Sequence, residues 1–404
     1  MSSFITAIGT ATPENNFEQA QIGRFMIQAL QLDEYNARKL QALYRSTKIK
    51  NRHSVLADYG RSENFDFYPN TPDLEPFPTV SQRMAAYQKH ALPLVLKAVE
   101  DLEVGLISNI EHSSSNVERS MLNLELHQRI GLISDRTSVP VQRPTSNVQR
   151  PQITHLITVS CTGMYAPGLD IELVEALGLN YSTQRTAINF MGCYGAFNGL
   201  KVADSIVRAN PEAKVLLVCV ELCTLHFQKK NDDNNLLSNA LFADGAAAVL
   251  IENQPRGLSL ELRSFYCDLL PEGRADMAWY VSDFGFEMVL TSYVPKLVQG
   301  GIKQLVERLR AQSGVEMIDY YAIHPGGRAI LEVIERELGL AREENRFSYD
   351  VLRDFGNMSS VTILFVLQRL LQSCTTNDAG KHILSCAFGP GLTLETGILR
   401  VVSE

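Results

Sequence analysis

An internal repeat constrains the fold of this chain more than any other feature of its sequence. The stretch "THLITVSCTG" beginning at residue 154 matches "IDYYAIHPGG", and "FMGCYGAFNGLKVADSIV" beginning at residue 190 matches "DFGNMSSVTILFVLQRLL". Each second copy lies 164 residues after the first. Two further pairs, "KVLLVCVEL" with "HILSCAFGP" and "GAAAVLIEN" with "TLETGILRV", follow in the same order. Self-similarity of this kind indicates two halves with the same architecture.

Each half alternates short β-rich runs with helical periods, which is the pattern of an α/β fold with a mostly parallel sheet and crossover helices. We place the N-terminal half at residues 1–254 and the C-terminal half at 255–404. Two stacked halves related by a pseudo-two-fold axis bring equivalent loops together at the centre. The repeat therefore predicts that Cys193 and Asn357, which occupy equivalent positions, face each other.

Residues 105–152 interrupt this pattern. They include "SNIEHSSSNVERS" and "SDRTSVPVQRPTSNVQRPQ", which are rich in Ser, Asn, Arg and Pro. This composition predicts a flexible insertion in the N-terminal half. An element that docks a partner is the alternative for the same segment.

Three residues at the ends of predicted strands and the starts of predicted helices are candidates for catalysis. Cys193 precedes the helix "YGAFNGLKV", whose positive dipole end favours a thiolate nucleophile. His324 ends a β-rich run before Pro and two glycines, which suits an acid or base facing a cavity. Asn357 can donate a hydrogen bond to a developing oxyanion.

Each of these residues alone also has an ordinary structural explanation. A cysteine among small residues is usually an inert buried thiol, and an asparagine at the start of a helix is usually a cap. The repeat favours a shared site because it brings all three residues to one place. Cysteine, histidine and asparagine together indicate acyl-thioester chemistry.

Composition narrows the class of ligand and partner. The net charge of -8 argues against general binding to nucleic acid or to an anionic membrane surface. Seven cysteines with no C-x-x-C pair predict neither a disulfide framework nor a zinc site. We expect a cytoplasmic protein, because the sequence has neither a signal-peptide pattern at its N-terminus nor a membrane-spanning apolar run.

At these residues the sequence resembles the type III polyketide synthases, the chalcone-synthase-like branch of the thiolase-fold condensing enzymes. The similar motifs are "GCYGAFNGL", "ALFADGAAAVLI", "IHPGG", "FGNMSS" and "AFGPGLTLE", in the order that the family has them. The resemblance implies a five-layered αβαβα thiolase fold and a homodimer, with no metal or redox cofactor. It also implies that Cys193 carries the acyl chain, while His324 and Asn357 hold the thioester carbonyl, and that His324 stabilises the Cys193 thiolate as an ion pair in the resting enzyme.

The resemblance extends to the walls of the predicted cavity. Phe242 is similar to one gatekeeper phenylalanine of the family, whereas the second gatekeeper falls on Met288. Ser359 and the loop of Phe388, Gly389 and Pro390 also match cavity positions. Four further cavity positions differ from the plant pattern: Cys161, Thr162, His226 and Trp279.

A basic stretch, "RKLQALYRSTKIKNRH", suits the phosphates of coenzyme A at the mouth of a tunnel, and a solvated helix face explains it equally well. Within it, Lys39 and Arg45 are the candidate CoA-binding residues. Ala42 and Ser46 stand where the family pattern has further CoA contacts. This departure leaves room for an acyl-carrier-protein donor.

The function that the resemblance implies is iterative decarboxylative Claisen condensation of malonyl-CoA onto an acyl starter, delivered as acyl-CoA or acyl-carrier protein. The altered cavity walls favour a fatty acyl or β-ketoacyl starter and an alkylresorcinol or alkylpyrone product. The alternatives are a single-condensation enzyme of the β-ketoacyl-carrier-protein synthase III type and a non-catalytic paralogue that binds acyl-CoA. A papain-like protease also uses Cys, His and Asn but lacks this repeat.

Overall fold

The computed structural model of the protein describes residues 1–113 and 153–404. Most of the predicted insertion at 105–152 therefore lies outside the described residues. Its first residues, 105–113, continue a helix that begins at Val80.

Nine strands form one large sheet, and two pairs of strands form small separate sheets. The strands are β1 (Phe4–Ala11), β2 (Asn15–Glu18), β3 (Asn51–Ser54), β4 (His155–Ser160), β5 (Gln184–Asn189), β6 (Val215–Leu222), β7 (Asp244–Glu252), β8 (Leu258–Leu269), β9 (Met277–Ser282), β10 (Gly285–Leu290), β11 (Tyr320–Ile323), β12 (His382–Gly389) and β13 (Thr393–Ser403). The large sheet has the order β11-β12-β13-β8-β1-β7-β6-β4-β5, while β2 pairs with β3 and β9 with β10.

Ten α-helices accompany these strands in the described part of the chain. They are α1 (Gln19–Ala29), α2 (Glu34–Ser46), α3 (Val80–Ser113), α4 (Leu169–Ala176), α5 (Gly195–Ala209), α6 (Asp233–Leu241), α7 (Val294–Ser313), α8 (Arg328–Leu338), α9 (Arg346–Phe355) and α10 (Thr362–Ser373). None of them is both long enough and apolar enough to cross a membrane.

Alternating side chains along the strands separate the core into three apolar clusters. On β4, Leu156 joins the cluster under α1 and α3, while Ile157 joins the central cluster that contains α5 and α10. On β12, Ile383 faces the same central cluster, whereas Leu384 packs with α7 and α8. Because strand side chains alternate between faces, each part of the sheet carries helices on both sides. This arrangement is the five-layered αβαβα thiolase fold, which confirms the predicted fold class.

The strand directions differ from the mostly parallel sheet that we predicted. The pairs β4 with β5, β4 with β6 and β11 with β12 are parallel, but five other pairs of the large sheet are antiparallel. The expectation was wrong because each half ends in a strand that returns beside its predecessor, β7 beside β6 and β13 beside β12. A strand that is buried on both faces has the same continuous apolar sequence whether it pairs in parallel or antiparallel, so its sequence does not reveal its direction.

The repeat is visible in the backbone of the two central loops. Gly192 before α5 has φ +75°, and its equivalent before α10, Gly356, has φ +72°. A short 3-10 helix begins at Gly192 in one half (Gly192–Tyr194) and three residues after Gly356 in the other (Ser359–Val361), and each leads into a central helix. The boundary between the halves near residue 254 stays a prediction.

Candidate active site

The two central helices begin at one pocket, whose empty volume is about 1060 Å³ with part of it open to solvent. Cys193, His324 and Asn357 all line this pocket. The structure therefore brings together the three residues that the repeat placed at the centre. Their catalytic roles stay predictions.

Cys193 lies on a tight turn between β5 and α5. Phe190 and Gly192 on this turn have φ angles of +60° and +75°, and a Cβ on Gly192 would lie 2.3 Å from Cδ of Pro390. Glycine is therefore required where the chain passes Pro390. The turn delivers the thiol to the start of α5, where free backbone N–H groups and the helix dipole favour negative charge.

Burial opposes that charge. Loss of solvent around Cys193 raises the pKa of its thiol to about 12, although hydrogen bonds from Ser359 and Asn357 pull in the opposite direction. The helix terminus and these two donors reduce the cost of a thiolate without removing it. A lone thiolate is accordingly not the ground state of this site at neutral pH.

His324 directly follows β11, and its backbone N–H donates to the carbonyl of Cys386 at 2.8 Å. The side chain is 1% exposed, and neither Nδ1 nor Nε2 has a hydrogen-bond partner among the described residues. Desolvation lowers the pKa of this imidazole to about 3. The ring is thus neutral and free to take a proton from a group that enters the pocket.

The raised pKa of Cys193 and the lowered pKa of His324 bear on the ion pair between these two residues that the family resemblance implies. Both favour the uncharged forms, because each charge alone is costly to bury. A proton moved from thiol to imidazole creates both charges at once, and each then stabilises the other. The ion pair itself stays a prediction.

Asn357 is held by both its backbone and its amide. Its N–H donates to the carbonyl of Leu241 at 2.9 Å, and its carbonyl accepts from Ala243 at 2.8 Å, so it bridges to the chain beside Phe242. Oδ1 accepts from the backbone N–H of Ser359 at 2.9 Å, and Nδ2 donates to the carbonyl of Gly326 at 3.2 Å. This orientation leaves the second N–H of the amide for a ligand.

The predicted cavity walls also meet at this pocket. It is lined by Phe242 and Met288, the two predicted gatekeeper positions, and by Ser359, Phe388 and Pro390. Met288 lies directly opposite Trp279 in the β9–β10 hairpin, so this hairpin forms one wall. The indole N–H of Trp279 donates to the carbonyl of Cys161 at 2.8 Å, which ties the hairpin to the loop after β4.

His226 lines the pocket but differs from His324 in its hydrogen bonds. Its Nε2 is 2.7 Å from the carbonyl of Thr162, and its Nδ1 accepts from the backbone N–H of Phe286 at 3.0 Å. Burial lowers the pKa of this imidazole to about 3, and the ring stacks on Phe286 at 4.3 Å. Because both ring nitrogens are hydrogen-bonded, His226 is a fixed part of the pocket wall and is not available as a second base.

Cys161 and Thr162 line the pocket and surround a buried carboxylate that the sequence analysis missed. Glu221 on β6 accepts from the N–H of Cys161 and from Oγ1 of Thr162, both at 2.9 Å, and from Oγ of Ser360 at 2.5 Å. Burial raises the pKa of Glu221. The signal was present, since a glutamate inside the apolar run "KVLLVCVEL" needs buried partners.

Three predicted residues lie away from the pocket surface. Gly389 ends β12 and is not a lining residue, because the ring of Tyr194 packs against its backbone, where an added Cβ would lie 2.4 Å from Cδ1 of that ring. Lys39 and Arg45 are exposed on α2, where Nζ of Lys39 lies 3.5 Å from a carboxylate oxygen of Asp233 on α6. Binding of coenzyme A by these two residues stays a prediction.

The pocket lining has further polar residues that the sequence analysis did not identify, and two of them are Arg52 and Ser238. Arg52 belongs to the basic stretch that was assigned to coenzyme A, but it is 3% exposed and therefore turned inward. A single arginine in a basic stretch gives no sign of burial in the sequence. Ser238 lies on α6, which forms the adjoining wall.

Comparison with known proteins assigns the family. Residues 144–255 match the family "Chalcone and stilbene synthases, N-terminal domain", and residues 261–403 match the corresponding C-terminal domain. The chain belongs to the type III polyketide synthases. This synthase is 29% identical to the alpha-pyrone synthesis polyketide synthase-like Pks18 of Mycobacterium tuberculosis, over 98% of this chain and 91% of Pks18. It is also 29% identical to type III polyketide synthase C of Arabidopsis thaliana, over 98% and 94% of the two chains.

Solved structures agree with this assignment. The synthase superposes on PKS-I of the brown alga Ectocarpus siliculosus with a TM-score of 0.81 and 26% identity, covering 99% of this chain and 98% of that one. The type III domain of Steely1 from Dictyostelium shows the same fold, with a TM-score of 0.79, 24% identity and full coverage of both chains. The synthase is thus an acyltransferase-type condensing enzyme.

Proposed function

We propose that this synthase extends an acyl thioester with malonyl-CoA by repeated decarboxylative Claisen condensation and releases an alkylpyrone or alkylresorcinol. The observation that carries the proposal is the single pocket in which a helix-terminal thiol, an unpartnered imidazole and an oriented amide converge. These are a nucleophile, a base and an oxyanion donor. The substrates themselves supply the carbon nucleophile, so the proposal needs neither a metal nor a redox cofactor.

The first step loads the starter. His324 takes the proton of Cys193, and the thiolate attacks the thioester carbonyl of acyl-CoA or acyl-carrier protein. The carbon–sulfur bond to the carrier breaks, and the departing thiolate receives the proton from the imidazolium. The site returns to two uncharged groups, which is the state that burial of Cys193 and His324 favours.

The second step extends the chain. The bond between the carboxylate and the methylene of the malonyl group breaks, carbon dioxide leaves, and the electron pair forms an enolate. Its oxygen is stabilised by N–H groups of His324 and Asn357. The enolate carbon attacks the acyl group on Cys193 and displaces the thiolate, which begins the next cycle once the extended thioester is returned to it.

The starter is the finer part of the proposal. Apolar side chains of α1, of the β9–β10 hairpin and of the loop after β6 line the inner pocket: Ile22, Met26, Phe227, Met277 and Leu290. Burying one methylene of an alkyl chain against such walls contributes about 0.8 kcal/mol, which favours a fatty acyl or β-ketoacyl starter over a polar aromatic one. The name of the relative Pks18 refers to alpha-pyrone synthesis, which supports the lactone product.

Product mass after incubation with malonyl-CoA and a series of acyl-CoA chain lengths tests this proposal. We expect products that contain the starter plus several two-carbon units and that have lost water or the thioester through ring closure. A single extension would instead support an enzyme of the β-ketoacyl-carrier-protein synthase III type. A protein that binds acyl-CoA without consuming malonyl-CoA would be a non-catalytic paralogue.

A homodimer, and delivery of the starter by an acyl carrier protein, are separate parts of the proposal. Lys39 and Arg45 lie on the exposed face of α2, and α2 packs against α6 of the pocket wall. This position suits a phosphate contact near the entrance. Comparing acyl-CoA with acyl-carrier protein in wild type and in Lys39→Ala distinguishes the two donors, because a CoA-phosphate contact affects KM for acyl-CoA most.

A further inference from the structure

Arg52 and Ser238 both line the pocket, and Nη1 of Arg52 donates to the carbonyl of Asn239, the residue after Ser238. We call these two residues the polar corner. Arg52 is 3% exposed and Ser238 is 7% exposed. Among the residues that the structure describes, Nη2 of Arg52 and Oγ of Ser238 have no partner. Leaving such groups unpaired is unfavourable, more so for a charged one, unless a ligand completes their hydrogen bonds.

The rest of the Arg52 guanidinium is fixed. Nε donates to Oε1 of Gln19 at 2.7 Å, and Nη1 donates to the carbonyls of Asn239 and Phe242, both at 2.8 Å. Those two carbonyls lie at the C-terminal end of α6, where the helix dipole attracts a cation. Three of the five N–H groups are therefore used, and the two on Nη2 have no hydrogen-bond acceptor among the described residues.

The positive charge of Arg52 also lacks a close counterion. In the described parts of the chain, no carboxylate oxygen lies within 4.0 Å of its nitrogens. Asp244 is near enough to influence the guanidinium electrostatically, but its oxygens accept from Thr224 and Val55. Buried cations are normally paired. An anion at the polar corner would supply the missing charge.

The polar corner belongs to the same pocket as Cys193 and Asn357. The alkyl chain of Arg52 packs on Gly356, whose built Cβ would lie 3.0 Å from Cγ of Arg52, and Gly356 immediately precedes Asn357. In a malonyl thioester, the carboxylate is separated from the thioester carbonyl by one methylene. One pocket can therefore hold the carbonyl at Asn357 and the carboxylate at the polar corner.

We propose that Arg52 and Ser238 form the subsite for the free carboxylate of the malonyl thioester. The subsite rests on the proposed function, because it assumes malonyl-CoA as the extender. It explains how the pocket distinguishes the extender from the starter, which carries no such charge. Nη2 of Arg52 and the hydroxyl of Ser238 each donate one hydrogen bond to the carboxylate oxygens.

This subsite has a kinetic signature of its own. It stabilises the carboxylate before carbon dioxide leaves. In the transition state, that negative charge moves to the thioester carbonyl oxygen, which His324 and Asn357 stabilise. Removing the subsite must therefore weaken binding of malonyl-CoA without slowing decarboxylation of the bound molecule. A change that raises KM and leaves kcat equal or higher is the mark of a lost ground-state contact.

Ser238→Ala is the decisive variant, since its hydroxyl has no partner in the described protein and its removal costs no internal hydrogen bond. We expect KM for malonyl-CoA to rise about tenfold, as for a hydrogen bond to a charged group, with kcat not lowered and KM for the acyl-CoA starter unchanged. Arg52→Lys should show the same pattern, although the loss of its contacts to α6 also lowers stability. The control is Ser259→Ala, a buried serine at the start of β8 whose hydroxyl is paired with Arg256.

An unchanged KM for malonyl-CoA in Ser238→Ala overturns the subsite. A rise only in KM for the acyl-CoA starter also overturns it, because the polar corner would then bind an oxygen of the starter. A fall in kcat at constant KM also overturns it. In each of these cases the wild type still makes product, so the proposed function stands. A wild type that does not turn over malonyl-CoA refutes both.

Discussion

At the level of single residues, the site depends on two groups that burial keeps uncharged. Cys193 and His324 are each displaced from their ordinary pKa in the direction that favours the neutral form. We expect the thiol to become reactive when its proton passes to the imidazole, because the paired charges then offset the loss of solvent. The unpartnered nitrogens of His324 make this transfer available.

The same burial predicts a pH dependence of stability. In the unfolded chain, His324 takes up a proton near pH 6.5, whereas in the folded protein its pKa is about 3. Between these values the unfolded state binds more protons, so His324 lowers the free energy of unfolding as the pH falls. From pH 7 to pH 5 this loss amounts to about 2 kcal/mol.

His324→Gln isolates this contribution, because the described protein makes no hydrogen bond to the ring nitrogens that the variant would lose. Urea unfolding of both proteins at pH 7 and pH 5 is the measurement. We expect the wild type to lose about 2 kcal/mol more than the variant between the two pH values. An equal loss in both proteins would mean that the pKa of His324 is the same in the folded and the unfolded protein.

At the level of elements, the turn before α5 decides where the thiol is. Gly192 is in the left-handed region at φ +75°, and Pro390 occupies the space where a side chain would be. The sequence signals such a turn through its small residues, and the matching glycine at 356 shows that both halves use it. The strand directions and the close approach of Pro390 are not encoded locally, because they depend on which strands become neighbours.

Gly192→Ala tests the turn. The left-handed conformation costs an alanine about 1 kcal/mol, and the contact with Pro390 forces the turn to move as well. We expect kcat for condensation to fall more than about tenfold, since small displacements of a reacting atom have effects of that size.

The matched control for this variant is Gly178→Ala. Gly178 has a similar φ of +61° but nothing within 4 Å of a built Cβ, so it carries the conformational cost without the collision. We expect Gly178→Ala to lower stability by about 1 kcal/mol and to leave condensation intact. Equal activity of the two variants would contradict the role of the turn.

At the level of the whole molecule, the repeat determines much of what the sequence could predict. Two copies of a loop followed by an apolar helix imply two stacked halves with their loops together, and the structure has this arrangement around Cys193 and Asn357. The gatekeeper positions and the bulky wall of Trp279 also lie at the pocket.

Other parts of the site could not be predicted because they are assembled from distant segments. Arg52 and Ser238 come from separate stretches of the N-terminal half and meet only through the packing of α6. Glu221 is hydrogen-bonded by residues from two other segments, the loop after β4 and the start of the second central helix. Burial of polar groups by distant neighbours leaves no periodic pattern in a sequence.

In the proposed reaction one thiol, Cys193, carries the growing chain through several condensations. Rapid quenching during turnover with an acyl-CoA and malonyl-CoA, followed by peptide mass spectrometry, detects the acyl groups on each cysteine. We predict acyl adducts on the peptide with Cys193 only, as the starter and as the starter extended by two-carbon keto units, and none in Cys193→Ala, which keeps the wild-type fold by circular dichroism. Adducts on Cys161 or on Cys223, which also line the pocket, or product formation by Cys193→Ala, would refute this role of Cys193.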